Sequence, residues 1–190
     1  PRDLHMSPPQ VDDLLRVNTL VLYGEMLQEG YGPYYAMDTL QYNLGMYIDR
    51  FMLFDFDAFE ALINAIGGIE ITTTYTIDDP TFPDDDYGFD PFYLPAGTHI
   101  LDGHEALQFA RTRHGDDDFI RGRRQLQVVE ATLTRLREDG VLLSLIPQAP
   151  QLIEDLAGTY YTDLTLDEMI DLALYAAALD LETLATATID

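Results

Sequence analysis

Arginine is where this chain concentrates its capacity for chemistry. All ten basic residues are arginines, and five of them, Arg111, Arg113, Arg121, Arg123 and Arg124, fall between positions 111 and 124. An even scatter along the chain would put fewer than one there. Crowded guanidinium groups repel one another, so the cluster needs a compensating charge. On a chain of net charge -24, the compensation this pattern points to is a bound polyanion, because planar guanidinium forks match phosphate oxygens bidentately. The competing reading is a solvated face of Arg/Asp pairs.

Spacing sharpens the phosphate reading. Arg111 and Arg113 stand two apart, so in an extended segment both side chains leave by one face. After the turn-prone HGDDD (114–118) a helix is expected with Asp118 as its N-cap, and at about 100° per residue Arg121, Arg124, Gln125 and Val128 then form one stripe. The two pieces would face each other as jaws of one site, with Gln125 adding a neutral hydrogen bond. Arg123 falls on the far side of the same wheel and is left out.

These residues must be held by elements that the sequence also marks. Asp102 and Glu105 form a capping box in DGHE, opening a short helix through Phe109 that delivers Arg111 and Arg113. A helix over 119–138 is expected to bury Leu126, Val129, Leu133 and Leu136 while its arginine stripe faces the ligand. Earlier, DRFMLFDF at 49–56 reads as a buried strand, and Phe51, Phe54, Phe56 and Phe59 as core. Asp57 with Glu60 reads as a capping box for a helix over 58–66 stopped by Gly67-Gly68, and the alternating Ile69 to Tyr75 as a strand. Strand, helix, strand in this space suggests a right-handed crossover, hence an α/β fold with a central mixed β-sheet flanked by helices in αβα layers. Helices are also expected over 19–28, 37–47 and 166–179, the last capped by Thr165 with Glu168. Pro147 and Pro150 should break 142–156 into short pieces, and 183–189 reads as a final strand. The segment 78–93, DDPTFPDDDYGFDPFY, holds six aspartates and three prolines. It lacks the spacing of an EF-hand and reads as a solvated surface lid.

The same motifs resemble a known family. ALQFARTR (106–113) followed by Asp118, Arg121, Arg124 and Gln125 in the pattern DxxRxxRQ is similar to the signature of the LytR/CpsA/Psr cell-envelope proteins. Pro1-Arg2-Asp3, FDAFEALINAIGGIEI (56–71) and LPAGTHILDGHEALQFAR (94–111) resemble three further family blocks in the same order, with a weaker echo in TDLTLDEMIDLA (162–173). The resemblance implies a phosphotransferase that takes a glycopolymer from a polyprenyl pyrophosphate carrier and joins it to peptidoglycan through a phosphodiester, typically with magnesium. By this carry-over Arg2, Asp3, Arg111, Arg113, Asp118, Arg121, Arg124 and Gln125 form the catalytic set. Asp118 would orient an arginine or lie near the metal, and Asp3 is the local candidate ligand. The main magnesium ligands, a membrane anchor and at least one strand would lie upstream of Pro1, so residues 1–190 read as a single family domain lacking its N-terminal part. The resemblance further implies an extracytoplasmic, envelope location and an apolar tunnel for the polyprenyl chain beside the helix at 57–66. A non-catalytic module that binds polyprenyl phosphates or envelope polyanions is the alternative.

Composition narrows the classes. Hydrophobic residues make up 47% of the chain, enough for a packed core in a chain of this length. Acidic residues number 34 against 10 basic ones, which argues against nucleic acid as a partner. There is no cysteine, hence neither a disulfide framework nor a thiolate metal site. The four histidines form no metal-binding pattern and read as surface or turn residues.

Overall fold

The computed structural model describes residues 4–9, 11–84, 88–112 and 118–178, and of Asp118, Phe119 and Ala177 only the backbone. The chain divides into two compact units. One takes the residues up to Leu53 together with Tyr161–Leu164; the other takes Phe54–Tyr160 and the helix that follows Thr165.

In the first unit, β1 (His5–Met6) and β2 (Leu15–Arg16) pair antiparallel, a 3-10 turn follows, and α1 (Leu20–Leu27) and α2 (Gly32–Leu44) pack as a hairpin around buried Leu20, Tyr35 and Met6. Glu25 fixes the corner by accepting from the backbone N–H groups of Gly30 (2.8 Å) and Gly32 (3.0 Å), which gives the start of α2 partners for donors its own turns leave unmade. Gly45, at φ 66°, caps α2 after Leu44, three residues before the expected stop at 47. Next comes β3 (Met52–Phe54), shorter than expected and exposed at all three positions.

The second unit starts with α3 (Phe56–Ala65). Its cap is Asp55, whose carboxylate accepts from Ala58 N–H at 3.0 Å, not Asp57 with Glu60. Gly67 (φ 81°) and Gly68 (φ 87°) stop it as read. Then β4 (Ile69–Thr73) leads to a hairpin of β5 (Ile77–Asp79) and β6 (Phe92–Leu94), and β7 (Gly97–Leu101) returns antiparallel beside β4 with Ile69 opposite Leu101. From Asp102 the chain enters α4 (Gly103–Arg111) through the expected capping box. Beyond it lie α5 (Asp118–Arg137), α6 (Val141–Leu145), a 3-10 turn, α7 (Ala149–Asp155), β8 (Tyr160–Thr162), which pairs with β3, and α8 (Leu166–Ala178). Thr165 and Glu168 exchange the expected capping hydrogen bonds. The expected strand at 183–189 lies outside the described residues.

The class is mixed α/β, as expected, but among the described residues the strands form four two-stranded ladders among helices rather than one continuous sheet. The expected crossover does not form, since β3 pairs with β8 and β4 with β7. Burial explains why. In β4, Ile69, Ile71 and Thr73 are buried while Glu70 and Thr72 are exposed. That alternation belongs to an antiparallel ladder with one wet face, whereas crossover strands are buried on both.

The core of this unit gathers Ile63, Ile66, Ile69, Ile71, Ile77, Phe82, Phe92, Leu94, Leu101, Ala106, Phe109 and Val128, each large apolar side chain contributing about 1.5–3 kcal/mol. Two of these, Phe82 and Phe92, come from the segment expected to be a solvated lid. That expectation fails because β5 and β6 pair with Ile77, Asp79, Phe92 and Leu94 buried, leaving Asp78 and Tyr93 outside.

Candidate functional site

The cluster is built where the C-terminal end of α4 meets the start of α5. Arg111 is the last residue of α4, not part of an extended segment, so the two-residue extended step from Arg111 to Arg113 does not hold at its first member. The guanidinium Cζ of Arg111 lies 4.0 Å from the ring centroid of Phe56, at the start of α3, and 5.5 Å from that of Phe82 in the hairpin. Such cation–π contacts are made by the charge over the ring faces and do not use the N–H donors of the fork. Among the described residues no carboxylate pairs with it, although the chain carries 34 acidic residues.

Arg124 is placed differently. Only 3% exposed, it donates from Nη2 to the carbonyl of Thr112, the residue that caps α4, and its Cζ lies 5.9 Å from the Phe109 ring. A cation at carbonyls that end a helix is favourable, since those oxygens lack intrahelical donors and carry the negative end of the helix dipole. Gln125, exposed, reaches the Ala110 carbonyl at 3.5 Å. Arg121 is half-buried one turn earlier on the Arg124 face, and Arg123 is exposed. Helix α5 begins at Asp118; the side chain of Asp118, like Arg2, Asp3 and Arg113, lies outside the described residues.

The orientation of α5 corrects the sequence reading in part: Leu136 packs against the core as expected, but the first half of the helix does not. Leu126 and Val129, expected in the core, are 37% and 54% exposed, while Val128 is 4% exposed. Gln127 donates to the Thr72 carbonyl at 2.8 Å, fixing α5 against β4. The packed face therefore runs through Arg124, Val128, Ala131 and Arg135, a stripe that includes arginines because their aliphatic stems pack while their heads reach backbone oxygens. Arg135 does so with the carbonyl of Ile66, at 2.9 Å, at the end of α3.

Sequence reasoning missed several residues around the site. Phe56, assigned to the core, is 52% exposed and serves as a shelf for Arg111. Asp79, assigned to a wet loop, is 5% exposed and accepts from Thr112 Oγ1 at 2.6 Å. His104, taken as an ordinary surface histidine, stands between two carboxylates, Glu60 Oε1 at 3.0 Å from Nδ1 and Asp90 Oδ2 at 2.6 Å from Nε2. Both partners can only accept, so both ring nitrogens donate, as in the protonated ring. Its pKa is raised above the ordinary 6.5, chiefly by the hydrogen bond to Asp90 and then by Glu60, against an opposing effect of burial. None of these contacts has a local signal, since each joins segments far apart in the chain.

Among the described residues no group of three or more histidine and acidic side chains is placed to hold a metal. Asp79, which the hydroxyl of Thr112 next to Arg111 reaches, already accepts from Thr81 as well as Thr112. These residues do not by themselves fit magnesium. No helix among them is long and apolar enough to cross a membrane.

The domain is α/β and presents Arg111 on an aromatic shelf, beside a helix that carries further arginines, side chains whose forks match phosphate oxygens. The chain belongs to the LytR_cpsA_psr family, whose pattern it matches over residues 1–190. It is 30% identical over 144 residues to the polyisoprenyl-teichoic acid–peptidoglycan teichoic acid transferase TagT of Bacillus subtilis, covering 76% of this chain and 43% of that protein. To the transferase TagU of Enterococcus faecalis it is 29% identical over 175 residues, 91% of this chain and 51% of that one. The crystal structure of B. subtilis TagV matches with a TM-score of 0.69 at 25% identity, over 93% of this chain and 63% of that one. The chain thus spans about half the length of the curated relatives it matches.

Proposed function

We propose that this chain carries the pyrophosphate-binding part of a cell-envelope phosphotransferase, which moves a glycopolymer from a polyprenyl pyrophosphate carrier to peptidoglycan. The observation that carries this reading is Arg111, held by two rings, with no carboxylate partner among the described residues of a strongly acidic chain. The family's named transferases support the reaction class. A hydroxyl of the acceptor attacks the phosphorus that bears the glycopolymer. A new P–O bond forms as the hydroxyl gives up its proton to solvent, the pyrophosphate P–O bond breaks, and polyprenyl phosphate leaves with the negative charge. A guanidinium oriented in advance stabilises that charge as it develops, without reorganising at the moment of reaction. Arg121 and Gln125, on α5, would assist; Arg113, Arg2 and Asp3, which lie outside the described residues, are proposed on the family resemblance alone. In this reading the protein acts outside the membrane, at the wall, as part of an anchored chain, and magnesium, if it serves the reaction, draws on carboxylates beyond those described.

The test is transfer of glycopolymer from its polyprenyl pyrophosphate to peptidoglycan by the protein that contains this chain. Arg111→Ala should weaken carrier binding by about 1.5–3 kcal/mol, the range for a lost charged hydrogen-bonding group, and reduce turnover further. Arg123→Ala should do little. Equal losses at both positions would indicate nonspecific charge attraction, and binding without turnover in the intact protein would favour the non-catalytic module.

A further inference from the structure

We propose that the β5–β6 hairpin is the element that positions Arg111, with Asp79 acting through Thr112 and Phe82 acting directly on the guanidinium. The inference rests on the proposed role of Arg111 in holding pyrophosphate, and assigns a task to a segment whose aspartates otherwise look like a solvated lid.

Thr112 follows Arg111 and is 1% exposed. Each of its three polar groups is committed to a different element. Its N–H donates to the Gln108 carbonyl within α4 at 2.9 Å. Its hydroxyl donates to Asp79 Oδ2 on β5 at 2.6 Å, the short distance of a hydrogen bond to a carboxylate. Its carbonyl accepts from Arg124 Nη2 on α5. Asp79 is itself fixed, since its Oδ1 accepts from both the N–H and the hydroxyl of Thr81, each at 3.2 Å.

Such pinning has a purpose at this point of the chain. Thr112 leaves α4 in extended backbone, φ -54° and ψ 142°, so the helix ends without the left-handed cap that often closes the last turn. Helix ends fray, and Arg111 occupies that last turn. A donor that must meet phosphate oxygens within about 0.5 Å cannot hang from a fraying end. The stretch from Asp79 to Phe82 answers both requirements at once. Asp79 locks the main chain just past Arg111, and three residues later Phe82, 4% exposed, lies beneath the guanidinium. Phe56 holds the other contact with the fork.

The experiment is binding of farnesyl pyrophosphate, by calorimetry, to the intact protein that contains this chain. Thr112→Val keeps the shape and removes the hydroxyl; it should weaken binding roughly tenfold, whereas Thr112→Ser should restore it to within about twofold. In an Arg111→Ala background Thr112→Val should make no further difference, because coupled residues lose their effect together. Phe82→Leu, which keeps an apolar side chain in the core, gives an independent arm: a fall of about threefold, again absent in the Arg111→Ala background. Unchanged affinity in Thr112→Val, or undiminished losses without Arg111, would overturn the positioning role while leaving Arg111 as a ligand residue. If Arg111→Ala itself leaves farnesyl pyrophosphate binding unchanged, both the site and this inference fall.

Discussion

At its N-terminal end α4 is held by groups that water reaches, and at its C-terminal end by groups that it does not. Asp102 and Glu105 exchange capping hydrogen bonds, Gly103 sits against α3, and His104 bridges Glu60 of α3 to Asp90 ahead of β6 with about half its side chain exposed. Gln108, one turn on, donates to the same Asp90 carboxylate at 2.8 Å. At the other end Asp79, Thr112 and Arg124 are all at most 5% exposed. The hairpin grips both ends, through Asp90 and through Asp79. The difference teaches where each kind of contact is suited: an exposed ion pair contributes little and responds to pH and salt, while a buried hydrogen-bonded group holds one geometry and is costly to break. The end that carries Arg111 has the second kind.

The largest expected effect lies at the N-terminal end and is steric. A Cβ at Gly103 would lie 2.2 Å from the Glu60 carbonyl oxygen and 2.6 Å from its Cα. Because these are backbone atoms, α3 and α4 would have to part, and Gly103→Ala should lose about 3 kcal/mol in denaturant unfolding, at the upper end for an overpacked site. A neutral result would mean that the close α3–α4 contact is not what seats α4, and the comparison of its two ends would need another basis.

Next comes the buried arginine. Arg124→Met keeps the stem but loses the hydrogen bond to Thr112, and should cost about 2 kcal/mol. Arg135 offers the control, since it makes the same kind of contact with a helix-ending carbonyl but has 31% of its side chain exposed and an ion pair with Glu138. Arg135→Met should cost about 1 kcal/mol. Equal losses would erase the distinction between buried and exposed staples drawn from α4.

The smallest effect belongs to His104 and depends on pH. Its folded-state pKa is raised above the ordinary 6.5 by Asp90 and Glu60, so folding favours the protonated ring. The stabilisation is complete below about pH 6.5 and is lost as pH rises through the raised value. Melting temperatures of the native protein and His104→Gln should therefore diverge at acidic pH and converge toward alkaline pH. Parallel curves would show that the bridge between the two carboxylates adds nothing to stability.

Much of α4 was legible in its residues. DGHE specified a capping box that forms as read, and Gly67-Gly68 stopped α3 where positive φ was needed, because caps and turns are satisfied within a few residues of chain. The helical stripe of α5 was legible too, but not its orientation. Leu126 and Val129 are the more apolar choice for a core face, yet the stripe of Arg124, Val128 and Arg135 packs inward, since two helix ends with unsatisfied carbonyls lie on that side. For β3 the apolar run suggested burial and the structure leaves it exposed; a run of apolar residues does not say what will cover it.

The sequence alone determined the density of arginine between 111 and 124, the stop of α3, the starts of α4 and α8, and the motifs that place the chain in its family. Each of these depends on residue types a few positions apart. Tertiary structure decided which arginine is buried, which rests on rings, and which aspartates of the hairpin leave water. Asp79 and Thr112 are 33 residues apart, His104 and Glu60 are 44 apart, and no local preference can pair them. Only packing of the hairpin, α3 and α5 around α4 brings those groups within hydrogen-bonding distance, and with them sets the position of Arg111.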